Sequence, residues 1–164
     1  MNTQEIRDFL TYNIHTRRIF REVLARDQLK NIRVPKFKPS AYVINSDPIN
    51  KPGQHWTAVV FNGQGSAEYF DSYGLPPNHN QIHEFITKNA QRVYFNQRTL
   101  QDITSIKCGL FVLYFIHKKS KGTPLSQLLR PFKSHNLLIN DRVVTSYIRR
   151  YFFHPMKIYQ HKRS

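Results

Sequence analysis

The chain has 164 residues and a formal net charge of +15, from 25 Lys and Arg residues against 10 Asp and Glu. Its 9 Tyr, 12 Phe and single Trp residues allow a packed core, so a disordered polycation is excluded. One cysteine excludes an internal disulfide, and the sequence has neither an apolar run of about 18 residues nor a secretory leader pattern. We therefore expect one soluble domain over 1–164, with no cleaved targeting segment and no membrane association.

The positive charge is concentrated in the last third of the chain. Residues 111–164 carry 11 Lys and Arg residues, and Asp141 is the only acidic residue there. A mixed surface would alternate the two signs, so this excess favours a polyanionic partner, most often nucleic acid. Association with a ribosome or a membrane surface is the alternative.

Apolar periodicity predicts helices and strands that alternate along the chain. Helices are expected at 4–12, 16–29, 79–90, 108–117 and 139–153, and strands at 41–44, 56–61, 67–70 and 93–95. The helix at 16–29 is inferred from an apolar stripe formed by Ile19, Phe20, Val23 and Leu24. A basic loop is expected at 30–40, a turn at 62–65, and a further short helix after Thr123-Pro124. The pattern indicates one α+β domain.

Cys108 is the only thiol, and it stands at the expected first turn of a long apolar helix. The unpaired N–H groups and partial positive charge of a helix start favour a thiolate. A single cysteine is more often a small buried apolar residue. Here, however, His55 opens a strand, Asp71 ends its hairpin partner, and Gln101 precedes the cysteine by seven positions. Thiol, imidazole, carboxylate and amide are the nucleophile, base, orienting group and oxyanion donor of a cysteine hydrolase.

These residues also carry a family resemblance. The order His55-Trp56, Asp71, Gln101 and Cys108-Gly109 resembles the adenovirus-type endopeptidases (adenain) and the wider clan that contains the SUMO-cleaving proteases. The segment Phe-Asp-Ser-Tyr-Gly-Leu-Pro-Pro at 70–77 resembles proteases of adenovirus-related elements, including Polinton (Maverick) transposons. The resemblance covers nearly the whole chain. It implies an adenain-like cysteine protease fold, with a central mixed or antiparallel sheet, a buried helix that carries the nucleophile, and helical flanks.

The same resemblance implies a role for each site residue. Cys108 would attack the scissile carbonyl, and His55 would take the thiol proton and give it to the leaving amine. Asp71 would hold the imidazole and favour its charged form. The Gln101 side chain and the Cys108 N–H would form the oxyanion hole. Gln97 is the alternative donor, although its spacing fits the family less well. No metal site or small-molecule cofactor is expected, since the sequence has no HExxH or paired CxxC.

Trp56 and Gly109 each adjoin a predicted site residue, and the sequence suggests a role for each. Trp56 either packs beside the imidazole and shields it from water, or simply anchors the core. Gly109 is expected to leave room for the substrate backbone.

The expected function is that of a viral maturation endopeptidase, a monomer in the virion and the host cell nucleus. It would cut capsid and core precursors after Gly-containing sites. DNA would be a sequence-independent cofactor bound by Arg142, Arg149 and Arg150 on the outer face of the last helix. An activating peptide would have to bind noncovalently, because a disulfide to the single thiol would consume the nucleophile. The alternatives are an isopeptidase for ubiquitin-like modifiers, which shares the site, and a non-catalytic basic DNA-packaging protein.

Overall fold

A five-stranded mixed sheet forms the centre of the computed structural model, which describes residues 1–153. The strands lie in chain order across the sheet: β1 (Phe20–Ala25), β2 (Ser40–Asn45), β3 (Trp56–Phe61), β4 (Ser66–Phe70) and β5 (Arg92–Phe95). The three central strands are antiparallel, whereas β1 and β5 each run parallel to their neighbour. The predicted α+β class and mixed sheet are confirmed.

Five α-helices accompany the sheet in the described part of the chain. They are α1 (Thr3–Tyr12), α2 (Asn80–Asn89), α3 (Cys108–Ser120), α4 (Leu125–Leu128) and α5 (Leu137–Ile148). Short 3-10 helices occupy Thr16–Arg18 and Arg26–Asn31, and a π-helical turn follows α5 at Arg149–Phe153. Within residues 1–153, no helix has the length and apolar character needed to cross a bilayer.

Two hydrophobic clusters cover the two faces of the sheet. The larger cluster joins one face to α1, α3 and α5, and the smaller joins the other face to α2. The α3 helix lies at the centre of the larger cluster, with Phe111 and Phe115 fully buried. The ring of Phe115 stacks on that of Phe70 from β4, with ring centroids 4.7 Å apart. This packing fixes the first residue of α3, Cys108, against the end of the hairpin formed by β3 and β4.

The helix predicted at 16–29 is wrong, because this segment contains β1 between the two 3-10 helices. Its apolar residues suggested a single helical stripe. In the structure, however, Val23 and Leu24 point to opposite faces of the sheet, and each is buried in a different cluster. Because both faces are covered, neighbouring strand positions are both apolar, and the alternation typical of a half-exposed strand is lost.

The other predicted elements are present, with shifted ends. The α3 helix continues to Ser120 rather than ending at His117. The last helix was predicted over 139–153, but α5 ends at Ile148 and the rest is the π-helical turn. The predictions that concern residues 154–164 lie outside the described residues.

Candidate active site

The β3–β4 hairpin brings His55 and Asp71 together. His55 directly precedes β3 and Asp71 directly follows β4, whose pairing aligns Ala58 with Phe70. The Nε2 atom of His55 lies 2.9 Å from Oδ1 of Asp71, and the two side chains are 15% and 7% exposed. Since the carboxylate engages Nε2, the Nδ1 atom is the ring nitrogen left to face a nucleophile.

Further hydrogen bonds hold Asp71 itself in place. Its Oδ1 atom also accepts from the backbone N–H of Tyr73, at 2.7 Å. The buried amide of Asn96 accepts from the Asp71 N–H at 3.0 Å and donates to the Asp71 carbonyl at 2.6 Å. The carboxylate therefore has a fixed direction before any substrate arrives, which is what an orienting group requires.

The aromatic ring stacked on the imidazole belongs to Tyr73, a residue that the sequence analysis missed. The rings of His55 and Tyr73 lie 4.7 Å apart between centroids, at an interplanar angle of 27°. Trp56 is instead part of the core, and its Nε1–H donates to the carbonyl of Met1 at 3.1 Å. A signal for Tyr73 existed, because extending the pairing of Ala58 with Phe70 places residue 73 opposite residue 55.

Cys108 completes this group as the first residue of α3. Burial raises the pKa of its thiol, but the hydrogen bond from His55 and those from the backbone N–H groups of Trp56 and Gly109 reverse the balance and lower it. Burial likewise lowers the pKa of His55, yet its hydrogen bonds to Asp71 and Cys108 prevail and raise that pKa to about 9. Both shifts favour the form of the pair in which a thiolate lies beside an imidazolium.

Gln101 is buried beneath the loop that leads into α3. Its Oε1 atom accepts from the hydroxyl of Ser72 at 2.6 Å, and its Nε2 donates to the carbonyl of Ser105 at 2.7 Å. Ser105 lines the same cleft as Cys108. The side chain of Gln97 is exposed. Of the two candidate oxyanion donors, Gln101 is therefore the one that is hydrogen-bonded to the segment leading to Cys108.

A cleft of about 820 Å³ lies next to the thiol. Cys108, Gly109 and Ile106 line it together with the segment that precedes β3 and the N-terminal residues. Ile106 is 89% exposed there. The space over Gly109 was expected to be free for a substrate, but Met1 fills it: a Cβ atom at Gly109 would lie 3.0 Å from the Met1 side chain.

The three arginines predicted to bind DNA lie apart from the cleft. Arg142 lies on α5, and Arg149 and Arg150 lie in the π-helical turn; all three are exposed. None of them lines the cleft beside Cys108. Any contact that they make with a polyanion is therefore separate from the reacting groups.

A thiol at a helix start, beside an imidazole that a buried carboxylate holds, is the arrangement of a cysteine hydrolase. Residues 36–160 match the family model described as the Ulp1 protease family, C-terminal catalytic domain, and the chain belongs to that family. The prediction of a cysteine protease is thereby confirmed, as is the predicted clan. No curated protein matches the chain. Adenain itself is a narrower assignment that stays a prediction.

Solved structures from several sources share the fold. An ASFV pS273R protease has a TM-score of 0.56 at 15% identity, covering 88% of this chain and 65% of its own. ChlaDub1 from Chlamydia trachomatis has a TM-score of 0.52 at 16% identity, with coverages of 72% and 60%. The central domain of the Lpg1148 protein from Legionella pneumophila has a TM-score of 0.52 at 19% identity, with coverages of 94% and 98%. The chain spans less than two thirds of both ASFV protease chains, 43% and 65%.

Proposed function

We propose that the chain is a maturation endopeptidase of a virus or virus-like element, which cuts capsid and core precursors after Gly-containing sites. The observation that carries its peptidase chemistry is the 2.9 Å contact between His55 and Asp71 beside the only thiol. An inert DNA-packaging protein would have no need of this assembled group. The maturation role is favoured by the concentration of positive charge in the last third of the chain.

The proposed reaction uses the thiolate–imidazolium pair in two steps. The Cys108 thiolate attacks the scissile carbonyl carbon, and the resulting oxyanion is held by Nε2–H of Gln101 and the Cys108 N–H. The His55 imidazolium gives its proton to the amine as the C–N bond breaks, which leaves a thioester. Neutral His55 then takes a proton from water as the water attacks the thioester. The C–S bond breaks and the thiolate returns. Each oxyanion donor contributes about 3 kcal/mol to such a reaction.

Crowding beside the thiol supports a substrate with a small residue before the scissile bond. A Cβ atom at Gly109 would already lie 3.0 Å from the side chain of Met1. A glycine in the substrate needs the least space on this side of the cleft, because it has no Cβ. The resemblance to adenain and the SUMO-cleaving clan agrees with this preference.

We add two lysines, Lys118 and Lys121, to the residues proposed to bind DNA. Lys121 Nζ lies 5.3 Å from the centre of the Tyr151 ring, and the Arg150 guanidinium lies 5.5 Å from the same ring. Lys118 lies on the same turn at the C-terminal end of α3. Cys108 begins this helix, so Lys118 and Lys121 lie about 15 and 20 Å from it along the helix axis, at about 1.5 Å per residue. DNA on this surface would leave the cleft open and would confine enzyme and precursor to one polymer.

A triple variant tests the DNA proposal, with Arg142, Arg149 and Arg150 each changed to Gln. It should bind duplex DNA more weakly regardless of sequence, and the log–log salt slope should flatten by about 3, or 0.9 per phosphate contact. DNA should also accelerate cleavage of a basic precursor by the unchanged enzyme and do so less for the triple variant.

A charge-matched control uses exposed cations elsewhere, Lys36, Lys38 and Lys88, each changed to Gln. This control should lose less affinity and keep the acceleration. Turnover that is unaffected by DNA of any length would contradict the cofactor proposal, while leaving the peptidase chemistry intact.

An isopeptidase for ubiquitin-like modifiers is the second candidate, and membership of the Ulp1 protease family favours it. The two candidates differ in what the enzyme must recognise: a folded modifier with a diglycine end, or an extended precursor segment. Comparing kcat/KM for a panel of modifiers bearing a C-terminal fluorogenic group with that for precursor proteins separates them. A modifier preference of more than about a hundredfold would establish the isopeptidase, since it exceeds what one side-chain difference supplies.

The remaining features of the proposal concern assembly and location. We place the enzyme in the virion and the host nucleus, as a monomer. An activating peptide would bind without a covalent tether, because Cys108 is the only thiol. Among residues 1–153, β5 (Arg92–Phe95) is an edge strand of the sheet, so its outer backbone groups could pair with an added strand, and Tyr94 on it is 54% exposed.

A further inference from the structure

Ser72 is a fully buried residue that contacts Gln101 twice. Its backbone carbonyl accepts from the N–H of Gln101 at 3.0 Å and from that of Leu100 at 2.8 Å. Its hydroxyl donates to Oε1 of the Gln101 side chain at 2.6 Å. One residue therefore holds both the backbone and the side-chain amide of Gln101.

The hydrogen-bond chemistry fixes which way this amide faces. The carbonyl of Ser105 can only accept, so it must face the Nε2 atom of Gln101, 2.7 Å away. The Oε1 atom then faces Ser72, whose hydroxyl must act as a donor. One of the two Nε2 hydrogens is used by Ser105, and the second remains for another acceptor. Without the hydroxyl, the buried Oε1 atom would lose its partner, and nothing on that side would oppose rotation of the amide.

We propose that Ser72 is the positioning residue of the oxyanion donor: its hydroxyl turns the Gln101 amide so that the free Nε2–H points at the developing negative charge. This inference rests on the proposed role of Gln101. Asp71, next in the chain, directs His55. A single tight turn thus aims both the base and the oxyanion donor, so that both are in place before the substrate binds.

A double-mutant cycle with Ser72→Ala and Gln101→Ala tests the proposal in the full chain. Alone, Ser72→Ala should lower kcat by about 10- to 100-fold, less than or equal to the loss from removing the donor, with KM nearly unchanged. In the Gln101→Ala background it should change kcat by less than about twofold, because the group it positions is gone. The rate at which iodoacetamide alkylates Cys108 should stay at the unmutated value, since alkylation needs no oxyanion hole.

Ser40→Ala is the matched control. Ser40 is also fully buried, and its hydroxyl donates to the carbonyl of Lys38 at the opposite end of β2 from the site. This variant should lose some stability and keep kcat. If Ser72→Ala does not fold, Ser72→Cys carries the same cycle, because it fills nearly the same volume and its S–H is only a weak donor. Because this variant has a second thiol, alkylation of Cys108 is then followed on the peptide that contains it, by mass spectrometry.

Four results would overturn the inference. Equal loss from the Ser72 variant in both backgrounds, or slower alkylation of Cys108, would show that Ser72 supports the site in general rather than through Gln101. An unchanged kcat in the Ser72 variant would show that the hydroxyl is dispensable. If Gln101→Ala keeps full activity, the oxyanion role fails as well. If Gln101→Ala is impaired and the losses from the two substitutions add, only the role of Ser72 is contradicted and the oxyanion role of Gln101 stands.

Discussion

Replacing Asp71 by Asn removes the charge next to His55 and keeps the shape of the site. The Oδ1 atom of residue 71 accepts from both His55 and the N–H of Tyr73. An amide should keep its oxygen there, because its NH₂ group would otherwise face another donor. The imidazole therefore keeps its direction and loses its anionic partner.

The expected size of the effect follows from the pKa of the His55 imidazole. The pKa of His55 rises from 6.5 to about 9, which corresponds to about 3 kcal/mol in favour of the imidazolium. Burial opposes this rise, and the hydrogen bond to Asp71 is the largest of the contributions that raise it. Loss of the charge should remove about 1 to 2 kcal/mol of this preference for the imidazolium, which lowers kcat/KM about 5- to 30-fold. The alkaline limb of the pH profile should move down by about one pH unit.

The assay is kcat/KM against pH for a fluorogenic peptide with a Gly-Gly cleavage site. Asp102→Asn is the control, because Asp102 lies in the loop before α3 and its carboxylate accepts from the N–H and the hydroxyl of Thr104 within its own turn. The control should stay within about twofold of the unmutated enzyme. An Asp71→Asn variant whose pH profile keeps its alkaline limb at the unmutated position would refute the reasoning. So would one as inactive as the Cys108→Ala variant while His55→Ala remains active.

Three further predictions concern the thiol, the stacked ring and the pH dependence. Cys108→Ala should abolish hydrolysis with an unchanged circular dichroism spectrum, and iodoacetamide should add one label to the unmutated chain as activity disappears. Tyr73→Phe keeps the stacked ring and should keep activity within about threefold, whereas Tyr73→Leu should lower kcat by about tenfold at constant thermal stability. Activity should fall as pH rises through about 9, where His55 loses its proton. The charge on His55 also stabilises the fold. This contribution to the free energy of unfolding should be complete below pH 6.5 and be lost as the pH rises through about 9, which urea unfolding at several pH values measures.

Short-range topology made part of the site predictable. A tight turn between two strands forces their outer ends together, so residues 16 positions apart could be expected to touch, as His55 and Asp71 do. The position of Cys108 followed from the apolar run behind it, since α3 is buried along its length. Both inferences needed only local pattern and the geometry of a hairpin.

Long-range contacts and the burial of both sheet faces explain why other features could not be predicted from the sequence. The bond between Ser72 and Gln101 spans 29 positions and joins two loops, so no periodicity marks it. The strand β1 was mistaken for a helix because both of its faces are covered, which hides the alternation on which strand prediction depends. For Tyr73, the strand register carried a usable signal that the motif itself did not.

The most direct test of the proposed mechanism is to trap the acyl-enzyme site with a Gly-Gly peptide that ends in an electrophile, followed by mass spectrometry of the digested protein. We expect one adduct per chain, on Cys108, formed at a rate that falls sharply in His55→Ala and less in Asp71→Asn. The same probe should leave Cys108→Ala unlabelled. An adduct on any other residue, or labelling of Cys108 at the same rate with and without His55, would contradict the assignment of this thiol and imidazole as the reacting pair.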